Sequence, residues 1–124
     1  MTQARRLAWL RGRAAARPAA WFLRRKGFSI LEVDYRTPVG EIDLIAQRRD
    51  LLALVEVKAR PTLDQARHAI TARQRQRIIR AAEVYLQRNP RLGKLDTRFD
   101  VVLIAPGRWP RHIVDAWRAV GMDR

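Results

Sequence analysis

The sequence predicts an α/β sandwich, with a helix, three strands, a second helix and a fourth strand arranged around a mixed sheet. Three observations carry this. Glu41–Gln47 and Leu51–Ala59 are strand-like apolar runs, separated only by the polar turn Arg48-Arg49-Asp50. A helix-forming stretch, Ala66–Arg88, divides them from a further aliphatic run, Phe99–Ala105. The short spacing of the first strands predicts an antiparallel meander, and a helix between strands predicts a layered α/β arrangement.

The elements follow in order. Residues 3–26 have helical composition, with Leu7, Leu10, Ala14, Trp21, Phe22 and Leu23 among Arg and Ala, but Pro18 interrupts them. A proline predicts a kink or a fresh start near Arg17. Arg24-Arg25-Lys26 followed by Gly27 is a helix stop, with cations in the last turn and then glycine. Phe28–Tyr35 alternates as an edge strand would, and Thr37-Pro38-Val39-Gly40 is a turn. Pro61 ends the third strand, Asn89-Pro90 ends the second helix, and Pro106-Gly107 ends the fourth strand. Ile113–Val120 fits a strand or a short helix equally well.

A length of 124 residues with 48% hydrophobic content suits a single domain, 1–124, with a core at about 12–105. Residues 1–11 then form a basic helical extension, and 106–124 a C-terminal one. There is no cysteine, so disulfides and thiolate metal sites are excluded. The arginine-interrupted N-terminus lacks the apolar stretch of a secretory signal, and no aliphatic run is long enough to span a bilayer. The expectation is a cytoplasmic protein with no membrane partner.

The net charge of +14 is unevenly spread. Residues 1–31 carry +8 with no acid, 32–58 carry −2, 59–91 carry +6 and 92–124 carry +2. Basic flanks enclosing an acidic centre attract a polyanion by Coulomb forces and counterion release. A solvated, arginine-rich surface is the bland alternative. Nucleic acid is favoured over a membrane surface, because no segment pairs a basic face with a wide apolar one.

The acidic centre carries the chemistry. In Gly40-Glu41-Ile42-Asp43-Leu44-Ile45-Ala46, strand alternation puts Glu41 and Asp43 on one face and Ile42, Leu44 and Ala46 on the other. In Leu54-Val55-Glu56-Val57-Lys58-Ala59-Arg60, Glu56, Lys58 and Arg60 share a face. A turn centred on Arg49-Asp50 sets Asp43 opposite Glu56 and Glu41 opposite Lys58. Two carboxylates held that close repel unless a proton or cation lies between them. The pair is therefore a candidate seat for a hard divalent cation, Mg²⁺ or Mn²⁺. Lys58 is one of only three lysines among 26 basic residues, and lysine shifts its pKa more readily than arginine. The plain alternative is a Glu41–Lys58 ion pair on a solvated sheet face. Apolar residues on both faces of the hairpin argue against that.

Gly-Glu-Ile-Asp-Leu-Ile-Ala, a turn, then Leu-Val-Glu-Val-Lys-Ala-Arg resembles the PD-(D/E)XK nuclease superfamily. It resembles more closely the YraN family, bacterial proteins of undetermined function related to archaeal Holliday-junction resolvases. The likeness runs from about Gly12 to Ile104. It includes Arg-Lys-Gly-Phe after the first helix, Ala81-Ala82 with Tyr85-Leu86, and Arg98-Phe99-Asp100-Val101-Val102. The resemblance implies a restriction-endonuclease-like α-β-β-β-α-β core. It implies Asp43 and Glu56 as metal ligands, Lys58 as catalytic base or charge stabiliser, Glu41 as an accessory ligand, and Gln74 at a recurrent polar position. Gln74 also interrupts the apolar stripe formed by Ile70 and Ile78, which predicts that it points inward; a hydrogen-bonded half-buried amide is the structural alternative. Because resolvases cut paired strands, a homodimer is implied as a candidate assembly. One departure stands out. Ala16 occupies the position where family members usually carry a first-helix glutamate, and Pro18 in the same helix is unexpected.

Other residues carry weaker signals. Arg73, Arg77 and Arg80 share a helix face suited to phosphates, with an ordinary solvated face as the alternative. Arg60 is a candidate phosphate contact beside the site. His68 and His112 lack ligand spacing and are assigned to the surface. Trp9, Trp21, Trp109 and Trp117 are assigned to core or partner surface ahead of base stacking. The expected function is a metal-dependent endonuclease acting on DNA, branched or damaged. The rival is a catalytically inactive nucleic-acid-binding module on the same scaffold.

Overall fold

The computed structural model describes residues 15–118; the expected extension at 1–11 lies outside them. Helix α1 spans Ala16–Arg25, followed by strands β1 (Ser29–Thr37), β2 (Gly40–Arg48) and β3 (Leu51–Ala59). Helices α2 (Leu63–Arg67) and α3 (Ala72–Arg88) and a 3₁₀ turn (Pro90–Lys94) lead to β4 (Asp96–Ile104) and β5 (Arg111–Trp117). The sheet order is β1-β2-β3-β4-β5, antiparallel throughout except for the parallel pair β3 and β4. The architecture is the expected α-β-β-β-α-β core with a mixed sheet between helices, and β5 resolves the ambiguous last segment as a strand.

Proline places the start of α1. The helix begins at Ala16 after Ala15, so Pro18 sits in the first turn, where an amide N–H has no helical partner to lose. Gly27 follows at φ +92°, a backbone conformation that costs glycine little. The helix lays Ala19, Ala20, Phe22 and Leu23 on one face of the sheet, against Leu44, Ala46, Ala53, Val55 and Val102. Helix α3 covers the opposite face through Ile78, Ile79, Ala81, Ala82 and Tyr85, against Ile42, Ile45, Leu52, Leu54 and Phe99. Buried on both sides, β3 up to Val55 and β4 from Val101 onward read as continuous aliphatic runs.

The single helix expected over Ala66–Arg88 is two. Thr62 caps α2 by accepting the Gln65 N–H, and that helix stops at His68. Thr71 then opens α3 with a reciprocal capping box: its hydroxyl accepts the Gln74 N–H at 3.1 Å, and Gln74 Oε1 accepts the Thr71 N–H at 3.0 Å. The local capping signals outweigh the helical composition of Ala66–Thr71.

The close approach of α3 to β2 depends on Gly40. A β-carbon there would lie 1.9 Å from the Arg77 carbonyl oxygen. The glycine lets the start of β2 pass directly under the helix backbone.

Candidate functional site

The hairpin register is the expected one. Leu44 pairs with Val55, Ile45 with Leu54, Ala46 with Ala53, Gln47 with Leu52 and Arg48 with Leu51, about the turn Arg49-Asp50. Paired residues end at Leu44 and Val55, so Asp43 and Glu56 are not ladder partners. Instead, Asp43 Oδ2 accepts the Val57 N–H at 2.7 Å. A side chain thus takes the backbone donor that a continued ladder would have used.

The faces of β1 and β2 switch at the same place. Leu44 and Ala46 pack towards α1, but Ile42 packs towards α3. The expectation that Ile42, Leu44 and Ala46 share one face is therefore corrected. In β1, Val33 pairs with Leu44 and Tyr35 with Ile42, skipping Asp34 and Asp43 between them. Asp34 has φ +53°, a left-handed conformation uncommon outside glycine. The β1–β2 pairing is interrupted at these two aspartates and the β2–β3 ladder ends at Leu44 and Val55, and the cleft lies at this place.

That cleft, of about 520 Å³, gathers most of the expected site: Glu41, Asp43, Glu56, Lys58, Arg60 and Gln74 all line it. Glu56 and Lys58 are both buried, with Lys58 Nζ 3.6 Å from Glu56 Oε2. Burial, then hydrogen bonding to Asp43 and the negative charge of Asp43, push the Glu56 carboxyl up to about 9, against the opposing pull of Lys58. Lys58 therefore pairs with Glu56 on its own strand, and the cross-strand pair with Glu41 gives way to it. Glu41 is exposed at the cleft, aligned with Arg36 in the β1 ladder. The amide of Gln74 is spent partly on the helix cap. Arg60 lines the cleft, and one of its guanidinium nitrogens donates to the Ala59 carbonyl at 2.7 Å.

Arg73, Arg77 and Arg80 are not among the lining residues. Arg73 and Arg80 are exposed on α3, and Arg77 is half-buried over Gly40. Six residues that the sequence did not single out as site residues also line the cleft: Ala15, Val33, Asp34, Arg36, Val57 and Ala59. Arg36 Nε lies 3.2 Å from Asp34 Oδ1, an exposed pair at the opening. Ala16 forms part of the wall. The available signal was the polar pair Asp34 and Arg36 in an otherwise strand-like segment.

A second polar cluster was not foreseen. Asp100 is fully buried in β4, gripped by Arg98 through two 2.8 Å bonds, by His112 Nε2 at 2.8 Å and by the Asp115 N–H at 3.0 Å. Burial acts to raise its pKa, but the bonds from His112, Arg98 and the Asp115 N–H together hold it down at about 2. Lys26 Nζ reaches His112 Nδ1 at 2.6 Å. The His112 side chain is only 3% exposed, which corrects its assignment to the surface; His68 is exposed as expected. The signal was a lone acid inside Phe99-Asp100-Val101-Val102. No member of this cluster lines the cleft.

The donor set of the cleft suits a divalent cation. Burial first, and then the neighbouring Asp43 carboxylate, favour a retained proton on Glu56, and a cation would offset both by pairing with the ionised carboxylates. Mg²⁺ is commonly held by one or two carboxylates with water completing its shell. Asp43 and Glu56 would hold it. Among the described residues no group of three or more His, Cys, Asp or Glu forms a fuller ligand set, so Glu41 does not extend the pair to three.

Fold and site together define an α/β protein with a nuclease-like core, whose central hairpin carries a paired-carboxylate and lysine cluster. A family model described as "Uncharacterised protein family UPF0102" matches residues 16–104. A UPF0102 protein of Paramagnetospirillum magneticum is 50% identical over 121 residues, 94% of each chain. One from Nitrobacter winogradskyi is 52% identical over 108 residues, covering 87% of this chain and 92% of its own. One from Rhodopseudomonas palustris is 52% identical over 108 residues, covering 87% and 84%. The chain belongs to the UPF0102 family, the YraN family that its hairpin motif resembles. Among the described residues no helix is long and apolar enough to cross a membrane.

Proposed function

We propose that this protein is a metal-dependent endonuclease acting on DNA, with branched or damaged structures as its substrate class. The observation that carries the reading is the trio at the end of the hairpin ladder: half-buried Asp43 anchored on the Val57 N–H, buried Glu56 beside it, and buried Lys58 at 3.6 Å from Glu56. A divalent cation bound there stabilises charge developing on a phosphodiester and lowers the pKa of a bound water. Asp43 and Glu56 hold and orient that cation. Lys58 would orient or deprotonate the attacking water, or offset the negative charge that gathers on the phosphate oxygens as phosphorus becomes five-coordinate. Arg60 and Arg36 at the cleft, and the exposed arginines of α3, supply the positive field that draws in the phosphate backbone. The preference for DNA rests on family likeness.

Titration calorimetry with Mg²⁺ or Mn²⁺ tests the reading, comparing wild type with Asp43→Ala and Glu56→Ala. Binding that vanishes in both variants, together with cleavage of branched DNA by wild type alone, supports it. No binding at millimolar metal with nucleic acid present sinks it.

One observation favours a second reading, a binding module without turnover. Ala16 lines the cleft where a third carboxylate is usual, so the metal site is one ligand poorer. On that reading wild type and Asp43→Ala bind DNA alike and neither cleaves it.

A further inference from the structure

Beside the carboxylate cleft lies a second cavity of about 500 Å³, lined by Ala16, Arg17, Pro18, Ala20, Trp21, Arg24 and Val33. Ala16 and Val33 belong to both cavities, so the two share a wall. Ala16 is the smallest side chain that can stand there without loosening the helix. The short methyl side chain of Ala16 keeps the passage past α1 between the two cavities low.

Along this passage the surface combines cations with bare aromatic rings. Trp21 is 48% exposed and Trp109 is 64% exposed, yet their rings meet edge to face with centroids 5.7 Å apart. The pair is held in place rather than loose, because Trp109 also meets Phe22 of the core at 6.1 Å. The Arg25 guanidinium lies 5.1 Å from the centre of the Trp21 ring. Helix α1 carries Arg17, Arg24 and Arg25 and no acid. Two tryptophans left in solvent are costly unless something covers them. A cation-rich helix repels a basic partner and attracts a polyanion.

We propose that Trp21 and Trp109, with Arg17, Arg24 and Arg25, form a track for an unpaired nucleic-acid strand leading to or from the carboxylate cleft. The chemistry selects single strands. In a duplex the base faces are covered by stacking, whereas unpaired bases stack on aromatic side chains while nearby cations hold the phosphates. Trp21 lies five residues from Ala16, about 7.5 Å along the helix axis, a short step for a strand leaving the cleft. The connection of track to cleavage rests on the nuclease reading; strand binding by the track needs neither metal nor turnover.

The test is fluorescence anisotropy of a labelled 12-nucleotide single strand, as DNA and as RNA, and of a blunt duplex, at low fixed salt with EDTA. The proteins are wild type, Trp21→Ala, Trp21→Phe and Trp109→Ala, with circular dichroism to check folding. Single-strand affinity is expected to fall about tenfold in Trp21→Ala and in Trp109→Ala, the size of one lost base–aromatic stack. Duplex affinity stays within about twofold, and Trp21→Phe recovers most of the loss. Either sugar giving this pattern supports the track and identifies its occupant. Unchanged single-strand binding in both alanine variants overturns it. So does equal loss for single strand and duplex, or no oligonucleotide binding by wild type, which would leave the tryptophans to a protein partner. Failure of the nuclease reading shows separately, as absent metal binding.

Discussion

Asp43 Oδ2 accepts the backbone N–H of Val57 at 2.7 Å, tying the side chain of one strand to the main chain of the next where their ladder ends. One carboxylate thus ends a sheet pairing and anchors the candidate metal seat. The bond fixes Asp43 beside Glu56 without consuming the charge of either strand's neighbours.

Separating these two roles gives the first prediction. Asp43→Asn keeps an oxygen for the Val57 N–H and removes the charge, so the fold should hold while metal affinity drops at least tenfold. Asp43→Ala also strands a part-buried donor, which costs on the order of 1–3 kcal/mol. Urea denaturation and calorimetry on both variants check this; equal destabilisation would remove the anchoring role.

Glu56 gives a pH dependence with an unusual sign. Its folded pKa, about 9, lies above the ordinary 4.5, so the folded state retains a proton that the unfolded chain gives up. Metal-free protein should therefore lose stability as pH rises from about 4.5 towards 9. Glu56→Gln should flatten that part of the profile and stabilise the apo-protein at pH 8 by roughly 2 kcal/mol. Binding of Mg²⁺ at pH 7 should release about one proton, because a ligating carboxyl must ionise. Calorimetry in buffers of different ionisation enthalpy reads that proton directly; no release in wild type would count against Glu56 as a ligand.

Asp100 behaves oppositely. Its pKa is held at about 2, below the ordinary 3.8, so its contribution is complete above pH 3.8 and lost as pH falls through about 2. Asp100→Ala leaves Arg98 and His112 without their shared acceptor and should cost about 3–5 kcal/mol at pH 7, with little direct effect on the cleft. Thermal melts from pH 2 to pH 7 compare the two proteins. A variant as stable as wild type at pH 7 would show the network to be dispensable.

Gly40→Ala should be among the most damaging single-carbon changes in the chain. The added carbon would sit 1.9 Å from the Arg77 carbonyl, a backbone atom that moves only if α3 moves. A loss of about 3 kcal/mol is expected from this overpacking, read as a lower urea midpoint.

Ala16→Glu should return a third carboxylate to the cleft wall and raise Mg²⁺ affinity about tenfold, since ligand charge count tunes such sites. Titration calorimetry decides. Unchanged affinity would mean that the seat does not extend to α1.

The order of elements was legible in the sequence because it rests on local signals. Apolar period, Gly27 after a basic turn, and proline at the segment ends mark the strands and α1, and the two-residue turn fixed the Leu44–Val55 register. Ile70 shows where such reading fails: helical composition runs through it, yet the caps at Thr62 and Thr71 break the segment in two. That Asp43, Glu56 and Lys58 gather in one place was likewise visible from residue types at strand spacing.

What only the tertiary structure decided concerns contacts between segments far apart in the chain. Alternation along β2 put Ile42 with Leu44; the interruption of the β1–β2 pairing at Asp34 and Asp43 put it on the other face. Sequence showed Asp100 as an acid in an aliphatic strand, but not that Arg98, His112 and the Asp115 amide meet it. Nor did it show that α1 brings Ala16 to the cleft and sets Trp21 against Trp109. Periodicity reports the faces of one element, whereas a buried charge is tolerated, or a cleft opened, only by the partners that other elements bring.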